Sequence, residues 1–182
     1  AYAADDDETG YVDDFRGWDW IGLGQGFPDN DPQDDNGHGT HCAGIAAAAT
    51  NNGVGIAGAC PLCTIMPLKA FQSSGTASYS DIAKAIDYAY RNGATVINMS
   101  FGSYADSSLV HDALSLAYST SVLVAAAGND GVERWLGCEP PTPYGPFYPA
   151  HYSFVLGVEA GKPDGDPAGF SNFCTYEVRN PG

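Results

Sequence analysis

The residues best suited to chemistry cluster around one histidine. The segment Asp35-Asn36-Gly37-His38-Gly39-Thr40-His41-Cys42-Ala43-Gly44 sets His38 between two glycines at the start of a small-residue run. It predicts a helix from His38 to Ala49, entered from the Asp35-Asn36-Gly37 turn. The amino end of a helix disfavours the imidazolium, which helps keep the ring neutral, as a general base requires. Taken alone, one histidine is more often structural than catalytic. Cys42, four residues on and one turn deeper, is expected to be a small buried residue carrying a free thiol, not a nucleophile facing His38.

Two other clusters invite chemistry. Residues 1–35 hold 11 of the 22 acidic groups, opposed only by Arg16. Asp5, Asp7 and Thr9 follow a 1-3-5 spacing, Gly10 offers the turn, Tyr11 a carbonyl and Asp13 the ninth position, as in half of a calcium loop. The twelfth position is Arg16 rather than Glu, which excludes a full EF-hand loop. Calcium ligation and a bare solvated acidic surface both remain open. The second cluster is sulfur. Five cysteines stand at 42, 60, 63, 138 and 174. Cys60-Pro-Leu-Cys63 has the spacing of half a zinc site or a redox motif, but no second C-x-x-C and no histidine pair at ligand spacing accompanies it. Two disulfides and one free thiol in a secreted protein are expected instead, with Cys42 as the free thiol. Cys60 and Cys63 bridge each other or a neighbour, and Cys138 and Cys174 flank a Pro-rich loop that they are placed to close.

These groups need a scaffold. Residues 1–37 read as loop. Ile65 to Ala70 reads as a buried strand despite Pro67. Ser80 to Arg91 reads as a helix, with Ser80 as cap, Ile82, Ile86 and Ala89 on one face, and Asn92-Gly93 as the stop. Val96 to Ser100 follows as a strand. Ser107 to Ser119 is a helix with Leu109, Ala113, Leu116 and Ala117 on one side, Ser121 to Ala127 a further strand, and Phe154 to Val158 the last. Pro140 to Pro149 is a Pro/Tyr-rich loop. Helices alternating with continuously apolar strands imply an α/β fold with a mostly parallel sheet. Sites in such sheets form at the carboxyl ends of strands, which puts Ser100-Phe101-Gly102 and Gly128-Asn129 on one rim. Asn98-Met99-Ser100 is a glycosylation sequon on a strand expected to be buried, which argues against a sugar.

Composition removes several classes. The chain has 182 residues and a net charge of −15. So acidic a chain cannot neutralise a nucleic-acid backbone, nor is it a basic membrane-surface anchor. No apolar run approaches a membrane span, and no signal peptide stands at Ala1. A processed product or fragment is expected.

The histidine segment resembles the histidine motif of the subtilisin-like serine proteases, the subtilases, and its cysteine form is similar to the proteinase K branch. Ile97-Asn98-Met99-Ser100-Phe101-Gly102 resembles the family's substrate-binding strand, and Val122 to Asp130 its oxyanion-hole segment. Tyr148-Pro149-Ala150, Val155-Leu156-Gly157-Val158 and Phe170-Ser171-Asn172-Phe173 follow in the family's order. The opening Asp5 to Asp14 with Gly17-Trp18-Asp19 is similar to an acidic insertion in many subtilases. The resemblance covers essentially the whole chain and implies a three-layer α/β/α fold.

It also implies roles. His38 matches the catalytic base, and Asn129 the side-chain donor of the oxyanion hole. Ser100, Phe101 and Gly102 match the segment that pairs with substrate backbone as an added strand. Ala126, Ala127 and Gly128 match one wall of the pocket for the residue before the scissile bond, and their small size implies room for a large apolar group. His41 matches a second, structural histidine, expected to be a buried hydrogen-bonded ring.

The family's triad runs Asp, His, Ser along the chain. The resemblance puts the acid upstream of the acidic insertion and the nucleophile in Gly-Thr-Ser-Met-Ala after a turn like Asn180-Pro181-Gly182. Residues 1–182 are therefore expected to be the middle portion of a single peptidase domain, with an acidic loop region at 1–37 and an α/β core at 38–182. The chain alone should be inactive. Without the acid-bearing strand and the serine-bearing helix, strand edges would be left unpaired, so remaining segments or companion chains are expected partners beside a peptide or protein substrate. The implied function is a secreted serine endopeptidase. The alternative is a catalytically inactive subtilase-like module in an extracellular assembly.

Overall fold

The computed structural model describes residues 10–11, 14, 16–22, 27–131 and 145–173. It divides into two compact units, Ala1–Asn92 and Gly93–Gly182, each with its own parallel sheet.

The first unit contains β1 (Trp18–Asp19), α1 (His38–Ala47), β2 (Leu68–Lys69) and α2 (Tyr79–Arg91). Strands β1 and β2 pair in parallel, Trp18 opposite Leu68 and Asp19 opposite Lys69. A two-residue strand has no period to read, so β1 is invisible within a stretch that reads as loop. Strand β2 is shorter than the expected Ile65–Ala70. Pro67 has no N–H for a ladder, although its carbonyl still accepts from the Trp18 N–H at 3.3 Å. Helix α2 buries Ile82, Ile86 and Ala89 as their spacing predicts, together with Ala85 and Tyr88. Its cap is Ser78 rather than Ser80: the Ser78 hydroxyl accepts from the Asp81 N–H at 3.1 Å. Ser78-x-x-Asp81 has the spacing of a capping box, which Ser80-x-x-Ala83 lacks. The helix stops at Asn92, before Gly93 at φ 79°. Tyr11, Trp18, Trp20 and Tyr88 meet edge to face, with ring centroids 4.8 to 5.9 Å apart.

The second unit contains β3 (Val96–Met99), α3 (Ser108–Ala117), β4 (Val122–Ala126) and β5 (Leu156–Val158). The strand order is β3-β4-β5, all parallel, with Met99 opposite Ala125 and Ala125 opposite Gly157. All three strands are shorter than their apolar runs. Helix α3 is rotated from expectation. It buries Val110, Ala113, Leu114 and Ala117, whereas Leu109 and Leu116 are 58 % and 57 % exposed. Positions 110, 113, 114 and 117 make the complete i, i+3, i+4, i+7 stripe, and a pattern begun on Leu109 does not.

The strands also depart from burial on both faces. Leu123 and Ala125 of β4 are buried, but Val96, Val122, Leu156 and Val158 are exposed. Asn98 is exposed too, beside buried Met99, and its Nδ2 donates to Ser100 Oγ at 2.9 Å. The burial that argued against a sugar at this sequon is therefore absent. Cys60 and Cys63 bridge each other, and Cys42 is a free thiol. Cys138, Cys174, Pro140 and Asn180-Pro181-Gly182 lie outside the described residues. No helix among the described residues is long and apolar enough to cross a membrane.

Candidate active site

His38 is the first residue of α1 and is exposed. Gly37 precedes it at φ 94°, a backbone state open to glycine at little cost, and supplies no side-chain cap. The cap comes from further back. Asp34 Oδ1 accepts from the Asn36 and Gly37 N–H groups at 2.9 and 2.8 Å. Its Oδ2 accepts from the Thr40 N–H at 2.8 Å and the Thr40 hydroxyl at 2.7 Å. These bonds, led by those from Thr40, hold the Asp34 carboxyl far below its ordinary pKa of 3.8. At the other end of α1, the N–H groups of Ala59, Cys60 and Gly58 donate to the carbonyls of Ile45, Ala46 and Ala48 at 2.8 to 3.0 Å. The helix is thus tied at both ends, which satisfies groups a helix leaves orphaned.

Helix α1 buries none of its ten residues. His41 is therefore exposed, not the buried ring expected. Cys42 is half-buried, and its Sγ lies 3.9 Å from His38 Nε2. The expectation that one turn of separation keeps the thiol away from His38 fails because residues i and i+4 share a helix face.

Lys69 ties the same loop to β1. Its ammonium donates to Asp35 Oδ2 at 2.9 Å and to the Gln33 carbonyl at 3.2 Å. It also stands 3.5 Å from Asp19 Oδ2, which is fully buried and otherwise lacks a hydrogen-bond partner. Burial pulls the Lys69 pKa down, but the Asp35 hydrogen bond and the charges of Asp19 and Asp35 outweigh it and raise the pKa overall. Asp19 Oδ1 accepts from the Ile21 and Gly22 N–H groups.

The second unit carries the other candidates. Because β3 and β4 are parallel neighbours in register, Ser100-Phe101-Gly102 and Ala127-Gly128-Asn129 leave the sheet at adjacent carboxyl ends, the rim the sequence predicted. Asn129 is exposed and Gly128 buried. Asn172, fully buried, clamps this turn: its Oδ1 accepts from the Asp130 N–H at 3.0 Å. Its Nδ2 donates to the Ala127 carbonyl at 2.9 Å, and its N–H to the Gly128 carbonyl at 2.9 Å. Gly128, at φ 106°, has no room for a Cβ, which would stand 2.2 Å from Asn172 Nδ2.

The Subtilase family model matches residues 6–182. The chain belongs to the subtilase family. Among curated subtilase relatives it is 39 % identical over 170 residues to thermitase of Thermoactinomyces vulgaris, covering 91 % of this chain and 54 % of thermitase. It is 43 % identical over 163 residues to the thermophilic serine proteinase of Bacillus sp. strain AK1, covering 87 % of this chain and 38 % of that one. The chain thus spans about half or less of the length of these relatives. Among solved structures, the prenylagaramide maturation protease PagA aligns with a TM-score of 0.63 at 31 % identity, over 76 % of this chain and 47 % of PagA. The psychrophilic subtilisin-like protease Apa1 from an Antarctic Pseudoalteromonas aligns at 0.62 and 32 % identity, over 80 % of this chain and 31 % of Apa1. The α/β fold of this subtilase chain is that of the family.

The predicted site residues of the subtilase chain therefore fall in both units. His38 stands in the first, and Asn129 with Ser100, Phe101, Gly102, Ala126, Ala127 and Gly128 in the second. Of the proposed calcium ligands, Asp5, Asp7, Thr9 and Asp13 lie outside the described residues, and the Tyr11 ring belongs to the aromatic cluster. Among the described residues no three acidic, histidine or cysteine side chains gather as a metal site. Sequence reasoning missed Asp34, Lys69, Asn172 and Phe147. Asp34 had a usable signal, since an Asp two or three residues before a turn accepts its N–H groups. The Phe147 ring lies against Gly102: a Cβ there would meet its Cε1 at 2.1 Å, and a Cβ on Gly128 would meet the same atom at 3.1 Å.

Proposed function

We propose that the protein carrying this chain is a secreted serine endopeptidase, and that residues 1–182 are the middle portion of one peptidase domain. The observation that most supports the reading is the rim of the second unit, where the 100–102 segment and the Gly128-Asn129 turn leave neighbouring parallel strands side by side. The family match and the share of each relative covered support the same assignment.

In this reading His38 takes the proton from the hydroxyl of a serine in a flanking segment, and the oxygen attacks the peptide carbonyl carbon. The Asn129 carboxamide donates to the oxyanion that forms. Ser100, Phe101 and Gly102 offer backbone groups to the extended substrate, and Ala126, Ala127 and Gly128 wall the pocket beside the scissile bond. His38 then returns the proton to the leaving amine. No step passes through a metal, and calcium at residues 5–13 is a structural proposal only.

Fluorophosphonate labelling of the intact protein tests the reading. Labelling of one serine, lost in His38→Ala, is the expected result. Equal labelling of both forms, or none in the unmutated protein, would sink the protease reading, and none would favour an inactive module.

A further inference from the structure

Helix α1 begins at His38 and ends against a disulfide. Cys60 and Cys63, at a sequence separation of 3, are bridged, and the chain that enters their turn supplies donors to the last carbonyls of the helix. The Cys60 N–H donates to the Ala46 carbonyl at 2.8 Å, the Ala59 N–H to Ile45 at 2.9 Å and the Gly58 N–H to Ala48 at 3.0 Å. Gly58 is wedged against the helix: a Cβ on it would stand 2.2 Å from the Ala48 nitrogen. Because α1 buries none of its residues, these bonds hold its carboxyl end where packing does not.

The bridge does not staple distant parts of the chain. It closes too short a loop to remove as much chain entropy as a long-range disulfide does. It is also open to solvent: residues 59–65 are all exposed, Leu62 at 96 %. Exposed disulfides are the labile ones, reached by an incoming thiolate. The Cys63 N–H donates to the Cys60 carbonyl at 3.0 Å, a turn that Pro61 in its second position favours. That turn keeps the two sulfurs adjacent after reduction, so the bridge closes again on oxidation.

We propose that Cys60–Cys63 is a redox modification site, exchanged by an external dithiol, whose reduction loosens the carboxyl end of the helix headed by His38 and slows hydrolysis. A thiolate of the dithiol attacks one sulfur, the Cys60–Cys63 bond breaks and a mixed disulfide forms. The released sulfur takes up a proton. The second thiol of the dithiol then attacks the mixed disulfide and frees the other cysteine as a thiol. The dithiol ends as a disulfide, and two electrons and two protons have passed to the chain. The exchange site stands apart from the protease reading; only its effect on hydrolysis rests on that reading.

The test treats the intact, folded protein with dithiothreitol, alkylates a portion with iodoacetamide and maps the modified cysteines. Cys60 and Cys63 should be alkylated while the protein stays folded. In the reduced protein the amides of residues 58–60 should exchange hydrogen about tenfold faster or more, and kcat on a peptide substrate should be lower by about threefold or more. Oxidised glutathione should restore both. The double variant Cys60→Ser, Cys63→Ser should match the reduced protein and ignore dithiothreitol, which separates this bridge from the other cysteines. A bridge that resists reduction until the protein unfolds overturns the proposal. So do amides of 58–60 that exchange equally in both states, or a double variant that still responds. In a protein that labels with fluorophosphonate, a kcat equal in both states overturns it as well. Absent hydrolysis with absent labelling removes the protease reading, and the alkylation and amide exchange then decide the exchange site on their own.

Discussion

His38 and Asn129 stand on supports held by opposite means. Helix α1, which begins at His38, buries none of its residues and is fixed at its ends by hydrogen bonds, four of them to the Asp34 carboxylate. The turn carrying Asn129 is fixed by a side chain with no solvent exposure, Asn172, beside two glycines with an aromatic ring against them. Each support is therefore vulnerable to a different kind of change. Charge-assisted bonds near solvent respond to pH and tolerate changes of volume. A buried amide between fixed partners tolerates neither loss of a bond nor loss of fit.

The largest effect is expected from Asn172→Ala. It strands the Asp130 N–H and the Ala127 carbonyl, so the intact protein should lose about 3 kcal/mol of stability and turnover should fall with it. Asn172→Asp keeps an acceptor for Asp130 but no donor for Ala127 and should lie between. Chemical denaturation checks both, and a loss below about 0.5 kcal/mol for Asn172→Ala would mean the turn does not depend on that clamp.

Asp34→Asn should have the smaller effect, about 1 kcal/mol at neutral pH, as for the loss of a helix cap. Its signature is the pH dependence. The folded-state pKa of Asp34 is depressed, so its contribution is complete above the ordinary value of 3.8 and fades as pH falls below it toward the depressed value. The gap between the unmutated protein and Asp34→Asn should be constant above about pH 5 and narrow in stronger acid. A gap that stays constant to pH 2 would contradict the assignment of the cap to the carboxylate.

What the sequence made legible follows the same division. The Ile82-Ile86-Ala89 face of α2 was readable because burial leaves a period in the chain, and β3 and β4 were readable as short, continuously apolar runs between turn signals. The rim holding 100–102 and 128–129 followed from the parallel-sheet rule applied to those runs. The Cys42–His38 contact was hidden by treating one helical turn as a separation, although four residues is a neighbour on a helix face. Phe147 and Asn172 act across 45 and 44 positions from Gly102 and Gly128, where no local pattern reaches. The expected face of α3 began at Leu109, whereas the complete repeat begins at Val110 and runs through Ala113, Leu114 and Ala117.

The protease proposal assigns the imidazole of His38 as the base and the carboxamide of Asn129 as the oxyanion donor. The most direct measurement is the steady-state kinetics of Asn129→Ala in the intact protein on a good peptide substrate. Under the protease proposal kcat should fall by roughly 100- to 1,000-fold with KM nearly unchanged, as expected for a group that bonds the oxyanion but not the ground state. An unchanged kcat with a large rise in KM would contradict it.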